Sequence, residues 1–209
     1  MHCYEQYCFP WILKYVDRAV IDDRKQTLAK VQGRVLEIGI GTGSSVPWYP
    51  ENLTEVVGIE PCGALLDDCA KAVERVQQRT GGGTRFTLSV ADAQALPFPD
   101  NSFDTVVAFL VFCTIPDPYK AAQEAFRVLK SGGRMVFFEH VRSDRPTLAK
   151  WQRRSNPVWK VLGCGCHLDR DTRAVLAEAG FRFEEFRFEH KISVMPLVSP
   201  IIQGVAVKP

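Results

Sequence analysis

The chain has 209 residues, enough for one domain with a full core and little beyond it. Its 26 Lys+Arg nearly balance 24 Asp+Glu, and a net charge of +2 makes no electrostatic case for a nucleic-acid binder. Seven cysteines, an odd number scattered along the chain, read as free thiols of a reducing cytosol rather than as a disulfide framework.

Residues 1–30 precede the first strand signal. Phe9, Trp11, Ile12, Leu13, Tyr15, Val16 and Val20 crowd one stretch, with Asp22, Asp23, Arg24 and Lys25 behind them. This predicts one or two short amphipathic helices. Such helices suit a cap over the sheet; Trp11 and Tyr15 would also suit weak peripheral contact with a membrane interface. No basic start followed by an apolar core marks a signal peptide. No apolar run reaches the roughly 18–20 residues that span a bilayer. A cytoplasmic protein is therefore expected.

Val35, Leu36, Ile38 and Ile40 then predict a buried parallel strand, with Gly39, Gly41 and Gly43 at every second position after it. Glycine permits positive φ and close approach of backbone to a ligand, so the break marks a nucleotide-binding corner. The spacing is one residue shorter than the dinucleotide fingerprint, and Glu37 precedes the first glycine. A carboxylate there would repel a pyrophosphate and attract a sulfonium or an amino group. That favours S-adenosylmethionine over a nicotinamide dinucleotide.

The elements that follow keep the order of a doubly wound sheet. Pro47 and Pro50 leave only a short, irregular helix after the glycines. Residues 55–60 form a second strand ending in Glu60, placed to bind ribose hydroxyls, and Pro61 opens a helix over 64–78. A third strand over 86–93 ends near Asp92. Residues 105–112 form the fourth, with Leu110, Phe112 and Cys113 at the carboxyl edge where ligands bind. A helix over 119–129, a turn over 130–133 and a fifth strand over 134–138 complete the unit. His140 follows it as a candidate general base.

The series E-I-G-x-G-T-G, I-E-P, A-D-A-x-x-L-P-F-P-D-x-S-F-D and R-V-L-K-x-G-G-R resembles the class I S-adenosylmethionine-dependent methyltransferases. The resemblance implies an α/β Rossmann-like fold, a seven-stranded, mostly parallel sheet closed by an antiparallel hairpin over 181–191 and 201–207. It implies that Glu37, Gly39, Gly41, Gly43, Glu60, Pro61, Asp92, Ala93 and Leu110 hold the cofactor. Asp92 would take the adenine amino group, with the Ala93 N–H beside it. It makes 1–30 a lid, with Tyr4 or Tyr7 near the acceptor, and 31–209 the catalytic domain. The D/N-P-P-Y/F signature of many amine and base methylators is absent after the fourth strand, where L-V-F-C stands instead.

Residues 144–168 read as a substrate-side insertion carrying Trp151, Trp159, Cys166 and His167. Cys164, Cys166 and His167 have no second pair of ligands at metal spacing, so no metal is expected. Asp169 to Thr172 cap a helix over 173–179, which Gly180 ends. With E-H-V, W-Q, P-x-W-K, G-C-H-L-x-R-x-T and P-I-I-x-G-x-A-V-K in place, the resemblance extends to the alkyl-thiol S-methyltransferases (the methyltransferase-like 7 family) and their bacterial relatives. Some of those relatives are labelled phospholipid N-methyltransferases. The animal members carry an N-terminal anchor with no counterpart here, so a soluble or loosely peripheral enzyme is expected.

The expected activity is S-methylation of a small thiol or hydrosulfide. His140, His167 and Cys113 are the candidate catalytic groups. Tyr4, Tyr7, Phe112, Cys113, Trp151, Trp159 and Cys166 would line the acceptor pocket. A lipid amine acceptor, arsenite held by Cys62, Cys164 and Cys166, and a non-catalytic cofactor-binding module stay open as alternatives.

Overall fold

The computed structural model describes residues 16–191 and 193–209. Tyr4, Tyr7, Trp11 and Tyr15 lie outside them. The described chain opens with α1 (Ile21–Leu28), followed by β1 (Arg34–Ile38), β2 (Glu55–Glu60), α2 (Gly63–Thr80) and β3 (Phe86–Val90). Then come β4 (Phe103–Phe109), α3 (Pro118–Val128), β5 (Leu129–His140) and α4 (Pro146–Leu162). α5 (Thr172–Glu178), β6 (Arg182–His190) and β7 (Pro200–Val207) close it. Short 3-10 turns occupy Val46–Trp48 and Pro196–Val198.

The sheet has seven strands in the order β3-β2-β1-β4-β5-β7-β6. The first five are parallel; β7 runs antiparallel between β5 and β6. Chain order reverses at β1, which pairs with β2 on one side and β4 on the other. In open sheets of this kind the helices before and after such a switch lie on opposite faces, and the gap between them at the strand ends is where ligands bind.

Alternation along the strands builds two cores. Leu36 and Ile38 face one side with Val106, Ala108, Met135 and Phe137, under Ala121, Ala122 and Ala125 of α3. Val35 faces the other with Val56, Val107 and Val136, under Leu28 of α1. α3 starts where Asp117 accepts from the Tyr119 and Lys120 N–H groups, with Pro118 at its first position.

Three expectations shift. The predicted turn over 130–133 lies within β5 and bulges out of the ladder: Phe103 pairs with Leu129 and Thr105 already with Arg134. β3 ends at Val90 and β4 at Phe109, short of the predicted ends, because the chain must turn at the carboxyl edge. Leu110 takes φ +56 there. The insertion is mostly helix. Gln152, Asn156 and Trp159 of α4 hydrogen-bond inward, at the 3.6-residue period.

Candidate active site

Three glycines of the loop after β1 have positive φ: Gly39 +69, Gly41 +55 and Gly43 +82. They serve different neighbours. A Cβ on Gly39 would stand 2.4 Å from Val111 Cγ2, and one on Gly43 would stand 3.0 Å from Cys69 Sγ. At Gly41 a Cβ would meet nothing within 4 Å. Gly39 and Gly43 thus let the loop pack against the chain just after β4 and against α2, whereas Gly41 faces open space. Gly39 and Ile40 donate their N–H groups to the Ile59 carbonyl, tying the loop to β2.

Two carboxylates flank this loop. Glu60, at the end of β2, accepts from the Cys62 N–H at 3.2 Å and from the Gly41 N–H. Burial raises its pKa against those two donors. Glu37 departs from expectation. It is 2% exposed and accepts from Ser45 Oγ at 2.5 Å and Tyr49 Oη at 2.9 Å. Burial raises its pKa, opposed by the Ser45 hydrogen bond and the Arg24 charge. It braces the loop from beneath and has no open face toward a sulfonium. Arg24 links Ser45 to Asp17, and Asp17 accepts from Ser44 Oγ, so the chain before β1 is bolted to the glycine loop.

Asp92 sits exposed past β3, where Gln94 donates to it from both its backbone N–H and its side chain. Those bonds hold its carboxyl below the usual range. Gln94 Oε1 in turn accepts from the Asp117 N–H, bridging the edge from β3 to α3. Ala93 packs its methyl into the core, leaving the backbone as its only polar offering. Pro61 is exposed at the start of α2.

On the other side of Gly39, the chain after β4 folds over Glu139. This fully buried carboxylate accepts at Oε1 from the Val111 and Phe112 N–H groups, and its Oε2 has no partner. Burial pushes it up to about 7 despite those two N–H groups. Beside it, His140 Nε2 lies 2.9 Å from Cys166 Sγ. Trp159 Nε1 donates to the same sulfur at 3.3 Å, and Cys113 and Cys166 share a hydrogen bond. That shared bond, the His140 charge and the Trp159 N–H drive the Cys166 thiol down, while the bond and burial drive Cys113 up. Burial pulls the His140 ring down, but the charge and hydrogen bond of Cys166 together with the Glu139 charge carry the ring up.

The structure therefore joins Cys113, His140, Trp159 and Cys166, and separates others grouped with them. Trp151 is 56% exposed on the outer side of α4 and lines no pocket with this cluster. Phe112 is buried in the core, so only its backbone faces the edge. His167 offers its backbone N–H to the Cys113 carbonyl, and its ring stands outside the cluster. Burial and the charges of Arg170 and Lys160 lower that ring's pKa. The arsenite trio does not assemble: Cys62 is exposed at the start of α2, and the sulfur of Cys166 meets Cys113 and His140 instead.

Glu139, Gln152 and Arg170 stand in the E-H-V, W-Q and G-C-H-L-x-R-x-T motifs, but the sequence assigned them no role in the site. Arg170 donates to the carbonyls of Phe112 and Ile115 and fixes the loop that carries Cys113. Gln152 donates to the Val141 and Leu197 carbonyls and accepts from the Ser143 N–H. An arginine near a helix cap and a glutamine amid charged residues carry no linear signal of such roles.

A methyltransferase-domain family model matches residues 36–137, from β1 into β5. Thiol S-methyltransferase TMT1B of Rattus norvegicus is 34% identical over 189 residues, spanning 90% of this chain and 75% of that protein. The phosphatidylethanolamine N-methyltransferase of Cereibacter sphaeroides is 39% identical over 143 residues, 67% of this chain and 68% of that one. Among solved structures, N-methyltransferase NodS from Bradyrhizobium japonicum, in complex with S-adenosyl-L-homocysteine, superposes with a TM-score of 0.65. The match has 16% identity over 92% of this chain and 86% of that one, a likeness of fold.

Proposed function

The chain belongs to the class I S-adenosylmethionine-dependent methyltransferases, among relatives of the thiol S-methyltransferases, and on that premise we propose that its acceptor is a small thiol or hydrosulfide. The observation that carries this reading is the Cys113–His140–Cys166 cluster at the carboxyl edge, next to the glycine loop through Val111 and Gly39. A sulfur acceptor needs alignment, a dry wall and somewhere for its proton to go. Sulfur and imidazole supply a polarisable wall and a proton acceptor. In the reaction the acceptor sulfur uses a lone pair to form the new S–CH3 bond. The bond from methyl to the sulfonium breaks, and its electron pair stays on the cofactor sulfur, giving S-adenosylhomocysteine. The thiol proton passes to the cluster and on to solvent.

The cofactor lies, in this reading, across Gly41, with Glu60 at the ribose and Asp92 at the adenine end. Ligands would displace contacts already in place: Gly41 N–H from Glu60 and the Gln94 amide from Asp92. The test is turnover of S-adenosylmethionine to S-adenosylhomocysteine by purified protein against sulfide, small alkyl thiols, primary amines and aminophospholipid vesicles. Turnover with thiols is expected. Turnover confined to amines rejects the reading.

A lipid amine acceptor is favoured by a different feature. Trp151, Val158 and Leu162 are exposed along one stripe of α4, and another flank of the same helix carries Lys150 and Arg153, which line a cleft of about 380 Å³ with Arg142 and Asp169. An exposed apolar stripe on a helix that also carries cations suits an anionic membrane surface. Among the described residues no helix is long and apolar enough to cross a membrane. Sedimentation with anionic vesicles, and its loss in Trp151→Ser, would support that acceptor; no binding at low salt removes it.

A further inference from the structure

The cluster at the carboxyl edge has the composition of a metal site. Cys113 Sγ comes from the loop after β4, His140 Nε2 from the last residue of β5 and Cys166 Sγ from the loop between α4 and α5. All three atoms lie within 4.8 Å of one another. Each loop is held from outside the cluster. Arg170 grips the carbonyls of Phe112 and Ile115, and the Cys113 carbonyl accepts from the His167 N–H at 2.8 Å. Cys164 and Gly165 take φ +48 and +92 in succession, which turns Cys166 inward, and Asn156 Oδ1 accepts from the Leu168 N–H at 2.9 Å. His140 Nδ1 is buried without a partner, so the nitrogen turned to the sulfurs is Nε2.

We propose that Cys113, His140 and Cys166 bind one thiophilic divalent cation, with zinc as the reference ion, and leave its fourth position to the acceptor sulfur. Two sulfurs and one imidazole suit zinc, whereas magnesium and calcium need oxygen ligands. Three protein ligands are the number that keeps one position open. Zinc bonds of about 2.3 Å to sulfur and about 2.0–2.1 Å to nitrogen place tetrahedral donors roughly 3.5–3.8 Å apart. The 2.9 Å separation of His140 Nε2 and Cys166 Sγ would open by less than about 1 Å to meet that geometry. The two cysteines would bind as thiolates, releasing their protons to solvent. With the three donors occupied by the cation, an acceptor thiol entering the fourth position would release its proton to solvent directly rather than through the cluster. Only this last step rests on the thiol reading; the cation site stands on the three donors alone.

Cobalt(II) provides the readout. Full-length protein, reduced and stripped with chelator, is titrated with cobalt under reductant. One equivalent should produce a sulfur-to-cobalt charge-transfer band with the strong visible bands of a tetrahedral centre, and zinc should displace it. Cys113→Ser and Cys166→Ser should each weaken binding beyond the roughly 10–100-fold that follows loss of a ligand's outer hydrogen-bond partner. Cys62→Ser should leave it unchanged. Thermal melts report whether the serine variants fold; His140→Asn supplies a third variant that keeps both sulfurs. Hydrosulfide or a small alkyl thiol should then strengthen the charge-transfer band. No band at stoichiometric cobalt, or a band that survives Cys166→Ser in folded protein, overturns the site. A band indifferent to added thiol overturns the open position. Full thiol turnover by stripped enzyme overturns the cation's role while the thiol acceptor stands; cobalt binding without any thiol turnover does the reverse.

Discussion

Substitution of Gly41 by alanine separates the cofactor reading from the fold. A Cβ there would meet no atom within 4 Å, at φ +55. Folding therefore loses only the left-handed backbone preference, about 1–2 kcal/mol. For a chain of this size that lowers the melting temperature by about 2–8 °C. The methyl group occupies the space where the cofactor should cross the loop, and affinity for S-adenosylhomocysteine should fall at least about tenfold, or ~1.4 kcal/mol. At about 100 times the wild-type Kd the ligand stabilises wild type by about 2.7 kcal/mol, and a tenfold weaker variant by only about 1.4 kcal/mol. Those correspond to upward shifts of about 5–11 °C and about 3–6 °C. Calorimetry measures the affinity and differential scanning the shifts, in the same buffer. Gly39→Ala is the contrast: its Cβ would stand 2.4 Å from Val111 Cγ2, so the unliganded fold itself should suffer. A folded Gly41→Ala protein that binds S-adenosylhomocysteine as wild type does would refute the placement of the cofactor over this loop.

Arg170→Lys keeps a charge but not the fork that reaches both the Phe112 and Ile115 carbonyls. Stability should drop by about 1.5–3 kcal/mol, and kcat should fall while cofactor affinity holds, as chemical denaturation and calorimetry would show. Glu60→Ala removes the acceptor for the Cys62 and Gly41 N–H groups and, on the proposed placement, the ribose contact. Cofactor affinity should fall at least about tenfold in calorimetry. Glu37 bears on pH. Burial raises its folded-state pKa, so the native chain holds this proton to higher pH than the unfolded chain, and the group's contribution to stability falls as pH rises through that interval. Urea melts from about pH 5 to about pH 8 should show a shallower decline in Glu37→Gln than in wild type; equal slopes would exclude Glu37 as the source.

The glycine corner was legible in the sequence because its signals are local. One strand runs straight into Gly39, Gly41 and Gly43, and Glu60 ends the next strand, so a few contiguous residues carry both the backbone turn and the flanking charge. The individual strands and helices were legible for the same reason, since apolar runs, glycines and capping residues recur with the periods those elements impose, whereas the seven-stranded sheet was implied by the resemblance of the motifs. Even there the burial of Glu37 escaped notice. Its partners Ser45 and Tyr49 reach it only when the chain after the loop folds back beneath it.

The acceptor half is different in kind. Linear spacing grouped Cys164, Cys166 and His167, yet a residue on a turn can point away from its neighbour, and His167 does so. Cys166 instead meets His140, 26 residues earlier, and Cys113, which lies in another loop again. What brings them together is the parallel β4–β5 pairing and the docking of α4, which deliver three loop ends to one edge of the sheet. The sequence alone determined the glycine corner after β1, since short-range backbone conformation builds it. Only the tertiary structure decided that Cys113, His140 and Cys166 meet at the sheet edge, since their proximity depends on how distant strands stack and on no spacing along the chain.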